Sequence, residues 1–328
     1  MAKKTAASKG RTARPPQKPL RPFPISHHPP TYVAISCNLT NYQPQPGDGP
    51  AECIDMGVAV FRGEPPFYSY ERADTSLPAL MKQAECYHVI NKKHRKAQEA
   101  SETGNDTLYT SLYAKSQILE DEDEMKDWLW QLLQDSRKIR DNTPTWPGAK
   151  CLEANREQIR LSHGATWGAT PPAGSQEATE KVRNLVLMDW GAAGTDKLLQ
   201  RWGTLGDDRL RVREGNRVQF WDLRQWDRVA ALAPNPCAEP RDFTAALRAL
   251  GVVYHRFEAG GQRSRDVRGN AGNDACLKLG IFFSFFAMTA EEEAGIMLMG
   301  QPLDRDYFLF KYDAETLKAN QGLANLAE

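Results

Sequence analysis

The residues of this chain best suited to chemistry are carboxylates and arginines set in or beside glycine-rich turns. Asp274 stands in Arg268-Gly-Asn-Ala-Gly-Asn-Asp-Ala275, directly ahead of the apolar segment Leu277 to Met288. A Gly- and Asn-rich entry to such a segment predicts a tight loop feeding a buried helix, with Asp274 in its first turns. One carboxylate is thereby carried into the middle of the fold. Asp189 follows a segment that reads as a buried strand, Val182 to Met188, and suits the cap of a helix expected over Asp196 to Trp202. The acid run Glu120 to Glu124 has the composition of a metal site, but it opens a segment in which Met125, Trp128, Leu129, Leu132 and Leu133 recur at helical spacing. It therefore reads as a solvated helix N-terminus, with Arg137, Lys138 and Arg140 suiting the other end of the dipole. The basic candidates fall in two groups. Arg209, Arg211 and Arg213 alternate along a strand-like segment, and Arg263, Arg265 and Arg268 lie in the Gly/Arg loop Arg256 to Arg268. Both could form a phosphate-binding rim, with solvated loop charge as the competing reading.

The elements that must position these groups follow from pattern. Thr31 to Leu39 is a β-branched and aromatic run that predicts a central buried strand, and Ile54 to Phe61 repeats it as the return strand of an antiparallel hairpin across the Pro/Gly loop Gln43 to Pro50. Glu52 and Asp55 near the start of the second strand read as surface or turn residues. Phe67 to Arg72 and Cys86 to Asn91 are further strand candidates, the second followed by the basic run Asn91 to Lys96. Polar residues over about 97–120, the Pro- and Gly-containing stretch 141–180, with a short helix near Leu152 to Leu161, and the loop 256–268 read as insertions. Val218 to Asp222 predicts a strand before a helix at Leu223 to Leu232, and Asp242 to Gly251 an amphipathic helix ended by glycine.

Asn270-Ala-Gly-Asn-Asp-Ala275 before a buried helix resembles the last motif of the DEDDh 3′-5′ exonucleases, especially fungal relatives in the ribonuclease H-like superfamily. The resemblance spans residues 31–290 and implies an α/β fold, a mixed five-stranded sheet flanked by helices. In that family the first strand supplies an Asp and a Glu that hold two divalent ions, and the last motif supplies a general-base His and a metal-binding Asp. Carried over by position, Asp274 is the metal-binding Asp, with Asp189 and Asp196 as residual candidates for the others. The remaining positions are degenerate: Ser36 and Asn38 stand for the first-strand acids, Met188 for a residue of the strand-to-helix motif, and Gly269 for the His. A hydroxyl and an amide do not supply the anionic oxygens that paired hard cations need. The resemblance therefore implies a pseudoenzyme with no intact catalytic residue and no cofactor expected. An active 3′-5′ exonuclease that hydrolyses phosphodiester bonds with Mg²⁺ or Mn²⁺ through displaced acids such as Glu52 and Asp55 is the alternative.

Composition bounds the partners. The 328 residues carry 42 basic and 42 acidic side chains, so any attraction to RNA or DNA must come from local patches. That neutrality also keeps a protein-interaction scaffold without a nucleic-acid role in view. The 6 cysteines show no Cys-x-x-Cys pair and no zinc spacing, as expected of reduced thiols in a cytoplasmic or nuclear protein. The longest apolar stretch, Ile281 to Met288, is too short to span a bilayer, so no membrane is expected. Residues 1–30 form a basic, Pro-rich tail without acids, read as disordered, with a nuclear address, a phosphate-binding arm and a transit peptide as its open functional readings. Residues 291–328 form a C-terminal extension whose role the pattern does not assign.

Overall fold

The structure, a computed structural model, describes residues 28–40, 51–62, 80–95, 111–140, 183–191, 195–203, 218–225, 243–252, 255–257, 264–266, 269–287, 318–320 and 323. Six strands form one mixed sheet: β1 (Thr31–Leu39), β2 (Cys53–Phe61), β3 (Ala84–Asn91), β4 (Ser116–Leu119), β5 (Leu185–Asp189) and β6 (Val218–Asp222), in the order β4-β3-β2-β1-β5-β6. β1, β2 and β3 pair antiparallel, β5 runs parallel to β1, β6 parallel to β5, and β4 parallel to β3. The expected five strands are thus six. The extra one, β4, has only four residues and lies at the sheet edge, within the stretch read as a polar insertion.

Both faces of the sheet are covered. The periodic segment after the acid run forms α1 (Glu122–Ser136), and Asp121 caps it by accepting from the Glu124 N–H at 2.9 Å. Its Met125, Leu129 and Leu133 pack on Val33, Ile35 and Val58, joined by Leu198 and Leu199 of α2 (Thr195–Arg201). Glu122 is not simply solvated as expected. It accepts from the Trp202 indole at 2.6 Å, pairs with Arg201 and takes the Cys53 N–H at 3.4 Å, tying α1 to α2 and β2. Asp121→Ala removes the cap alone and is expected to cost about 1 kcal/mol in a urea titration. An unchanged midpoint would show that the Glu122 contacts hold that end without it.

The opposite face is built by α3 (Phe243–Ala249) and α4 (Ala271–Ala287), which pack on Tyr32, Ala34, Ala59 and Phe61. From Ala271 to Ser284 every side chain of α4 is buried except that of Asp274, as expected of a helix apolar on all sides. Phe283 meets Phe61 edge-on at 4.5 Å between ring centroids, and Phe282 lies 4.9 Å from Tyr32. The glycine-ended α3 holds as expected, Gly251 taking φ 65°. Arg183, fully within the core, spends its guanidinium on the carbonyls of Pro29, Pro30 and Arg62, and burial lowers its pKa to about 10.

Three expectations shift. β5 starts at Leu185 rather than Val182, and α4 starts at Ala271, so most of the presumed entry loop is already helix. The stretch 256–268 is not all loop. β7 (His255–Phe257) and β8 (Ser264–Asp266) pair antiparallel within it, Arg256 opposite Arg265. After β6 the described chain makes a single short 3-10 turn, Leu223–Gln225, while the rest of the helix expected to Leu232 lies outside the described residues. So do the strand candidate Phe67 to Arg72, the helix near Leu152 to Leu161, the tail 1–27 and the ribbon at Arg209 to Arg213.

Candidate functional site

The polar residues of the sheet gather where β1 and β5 end and α4 begins. Along β1 the alternation that puts Tyr32 and Ala34 under α4 puts Ser36 and Asn38 on the same face. Ser36 lies opposite Gly57 of β2 and is buried, and Asn38 lies opposite Asp55. The Asn38 amide donates to the Gly269 carbonyl at 2.7 Å, and the Gly269 N–H donates to Asp274 Oδ2 at 3.3 Å. One hydrogen-bonded chain therefore joins Asn38, Gly269 and Asp274. Gly269 takes φ 87°, in the left-handed region, where a side chain costs about 1–2 kcal/mol. Met188 is wholly buried in the apolar layer beneath α4 and offers no group to a site.

Asp189 is buried at the end of β5. It does not cap α2; its Oδ1 accepts from its neighbour Trp190 N–H at 2.7 Å and from the Lys278 ammonium at 2.5 Å. Lys278 lies on α4 one turn beyond Asp274 and also donates to the Ile35 carbonyl at 2.9 Å. The β1–β5 ladder runs from Thr31 opposite Leu185 to Ala34 opposite Met188, so Ile35 and Asp189 are the next residues past its last pair. The ammonium sits where the two strands stop pairing. Sequence reasoning passes over Lys278, although a lone lysine inside an apolar helix is the available signal, since a buried ammonium requires a partner.

The six residues of the motif each have a structural task. The Asn270 side chain accepts from the Asn273 N–H at 3.1 Å and is the N-cap of α4. The Ala271 N–H donates to Asp55 Oδ2 at 3.1 Å, and Asn273 Oδ1 accepts from the Leu112 N–H at 2.8 Å. A Cβ on Gly272 would stand 2.9 Å from that of His88, so glycine allows the helix to lie this close. Asp274, acidic in the first turn, faces the Gly269 N–H, and Ala275 is in the core.

A second polar cluster lies beneath that N-terminus. Asp55, expected at the surface or in a turn, is instead fully buried, and its Oδ2 meets His88 Nε2 at 2.9 Å. His88 Nδ1 lies 2.6 Å from Ser116 Oγ of β4. The imidazole thus bridges Asp55 and Ser116, one ring nitrogen to each. Asn320 closes the cluster, accepting from the Ser116 N–H and donating to the carbonyls of Ser111 and Ala114. The members are those of a hydrolytic triad. However, all three are buried, so their arrangement supports α4 on β2, β3 and β4 rather than presenting a nucleophile. Sequence pattern does not reveal this cluster, because its bonds join residues 28 to 209 positions apart. Glu52 is at the surface as expected, and Lys93 and His94 hydrogen-bond to it and hold its carboxyl below the ordinary range.

The other candidates are not brought together here. Asp196 belongs to α2, with its side chain outside the described residues, as is that of Arg265 in β8. Arg209, Arg211, Arg213, Arg263 and Arg268 lie outside the described residues altogether. Among the described residues no group of three or more His, Cys, Asp and Glu side chains could hold a metal ion, and no helix is long and apolar enough to cross a membrane. Burial pushes the Cys53 and Cys276 thiols well up, so neither is held as a reactive thiolate. Compared with protein-family models, with curated proteins and with solved structures, the chain matches none.

Proposed function

We propose that this protein is a catalytically inactive relative of the ribonuclease H-like 3′-5′ exonucleases whose remodelled cleft, at the ends of β1 and β5 beside the start of α4, binds nucleic acid. The strand order and senses favour that fold: an antiparallel β1-β2-β3 unit, then β5 and β6 parallel to β1, with a buried helix crossing β1 and β2. The observation that carries inactivity is how the polar groups at the ends of β1 and β5 are spent. Where two divalent ions would need anionic oxygens, Asn38 donates to a carbonyl and Asp189 is neutralised by Lys278. The described residues do not fit a two-metal centre. Displaced acids fare no better, since Asp55 is engaged beneath α4 and Glu52 is paired at the surface.

Protein incubated with Mg²⁺ or Mn²⁺ is expected to leave 3′-labelled single-stranded RNA and DNA at full length. Ser36→Asp, Asn38→Glu and Gly269→His together test the degenerate positions, though a glutamate at 38 replaces the donor to the Gly269 carbonyl and a side chain at 269 meets an unfavourable φ. Shortening by the unmodified protein, abolished in Asp274→Ala, would establish the active-exonuclease alternative instead. Binding is tested by salt dependence, because each phosphate that the protein neutralises releases counterions. Replacing Arg263, Arg265 and Arg268 by alanine is expected to reduce the salt slope by about one unit for each phosphate no longer held, with and without residues 1–30. No salt-dependent affinity for RNA or DNA in the protein lacking residues 1–30, where the basic tail cannot supply it, would turn the cleft into a surface for a protein partner.

A further inference from the structure

We propose that the Lys278 ammonium is the resident cation of the cleft, and that it and a divalent ion exclude one another at Asp189. This rests on the reading of the cleft as a degenerate two-metal site, and it adds to the missing first-strand acids a second reason, one residue, that Asp189 takes no metal.

The geometry is specific. Lys278 is the single charged residue of α4 beyond Asp274, and its side chain is 8% exposed against 3% for Asp189. An ammonium so far from water must be matched by anionic or carbonyl oxygens. It has both, Asp189 Oδ1 at 2.5 Å and the Ile35 carbonyl at 2.9 Å. A carboxylate and a backbone carbonyl are also ligands that hard cations choose, at roughly 2.0–2.6 Å from each oxygen. A divalent ion on Asp189 would need the space that Nζ fills. Helix position does the rest, because from Ala271 to Ser284 α4 is buried except at Asp274 and its first turn is fixed to Asp55, Leu112 and Gly269, which holds Lys278 against Asp189. Lys278→Gln shortens the side chain by one atom, vacating the position of Nζ, and keeps a neutral donor while leaving the Asp189 carboxylate without its counter-charge.

Manganese uptake by the full-length protein, read from the loss of the free Mn²⁺ resonance, tests this. The unmodified protein and Asp189→Asn are expected to take up the same small amount at about millimolar Mn²⁺, from surface carboxylates alone. Lys278→Gln should take up one further ion, and Lys278→Gln with Asp189→Asn should lose it by tenfold or more in affinity. A folded Lys278→Gln protein that binds no additional Mn²⁺ overturns the proposal. Should that variant fail to fold, the comparison of the unmodified protein with Asp189→Asn still decides. A fall in uptake on removing the carboxylate would mean that a metal reaches Asp189 with Lys278 in place, and equal uptake is the expected result. Uptake at Asp189 without cleavage sinks this inference only, whereas cleavage of RNA or DNA sinks the pseudoenzyme reading.

Discussion

Gly57→Ala is expected to cost about 3 kcal/mol or more and to loosen the whole N-terminal end of α4. A Cβ at this position would stand 1.9 Å from the Ala271 carbonyl oxygen and 2.5 Å from the Gly272 Cα. These are backbone atoms of a packed helix, so no rotamer change relieves the overlap and the first turn must move. Gly57 sits in β2 between Ser36 of β1 and His88 of β3, at the centre of the three-stranded unit. Displacing the turn stretches the Ala271 bond to Asp55, the Asn273 bond to Leu112 and the Asn38–Gly269–Asp274 chain together. A urea titration reads the loss as a lower midpoint. A midpoint equal to that of the unmodified protein would mean that α4 does not lie on β2 at this point.

Asp55→Ala is expected to destabilise by about 3–5 kcal/mol, since it leaves a buried imidazole and the Ala271 N–H without their acceptor. His88→Ala removes the same bond from the other side and also frees Ser116 Oγ. The two substitutions act on one network, so the double variant is expected to fall well short of the sum of the singles. Strict additivity would separate the two residues and refute the shared network. Neither variant touches Lys278 or Asp189, so Mn²⁺ uptake by the folded fraction should stay as it is in the unmodified protein.

The parts of the fold legible in the sequence are those whose apolar pattern is long. β1, β2, α1 and α4 emerge from apolar or periodic runs, and the structure places the two strands at the centre of the sheet and the two helices on its faces. β4 escapes because four residues at an edge carry almost no pattern, and β7 and β8 because three residues each in an arginine-rich stretch carry none. The candidate site divides in the same way. Gly269 and Asp274 come from a local motif and Asn38 from a first-strand position matched to the same family, and the three are joined in space. Asp55, His88, Ser116 and Asn320 are each an ordinary polar residue in its own segment, and only the folded chain reveals them as one cluster. The motif itself shows the limit of such reading. All six of its residues are used to seat α4, so its presence alone does not distinguish a catalytic ancestor from a structural requirement.

The late position of α4 has a consequence for how the chain is made. Its first N–H bonds an aspartate 216 residues earlier, and its lysine reaches a carbonyl 243 residues earlier. On a ribosome adding about 5–20 residues per second, β2 therefore waits roughly 10–40 s for the helix that covers it. During that interval the face carrying Tyr32, Ala34, Ala59 and Phe61 is complete in sequence but lacks α4. Nascent hairpins of this kind present apolar surface and unpaired edges to other chains, and pairing over such sequence distances is slow. The helix that covers this face is thus among the last parts of the chain to be made, followed by Asn320, which closes the cluster beneath it.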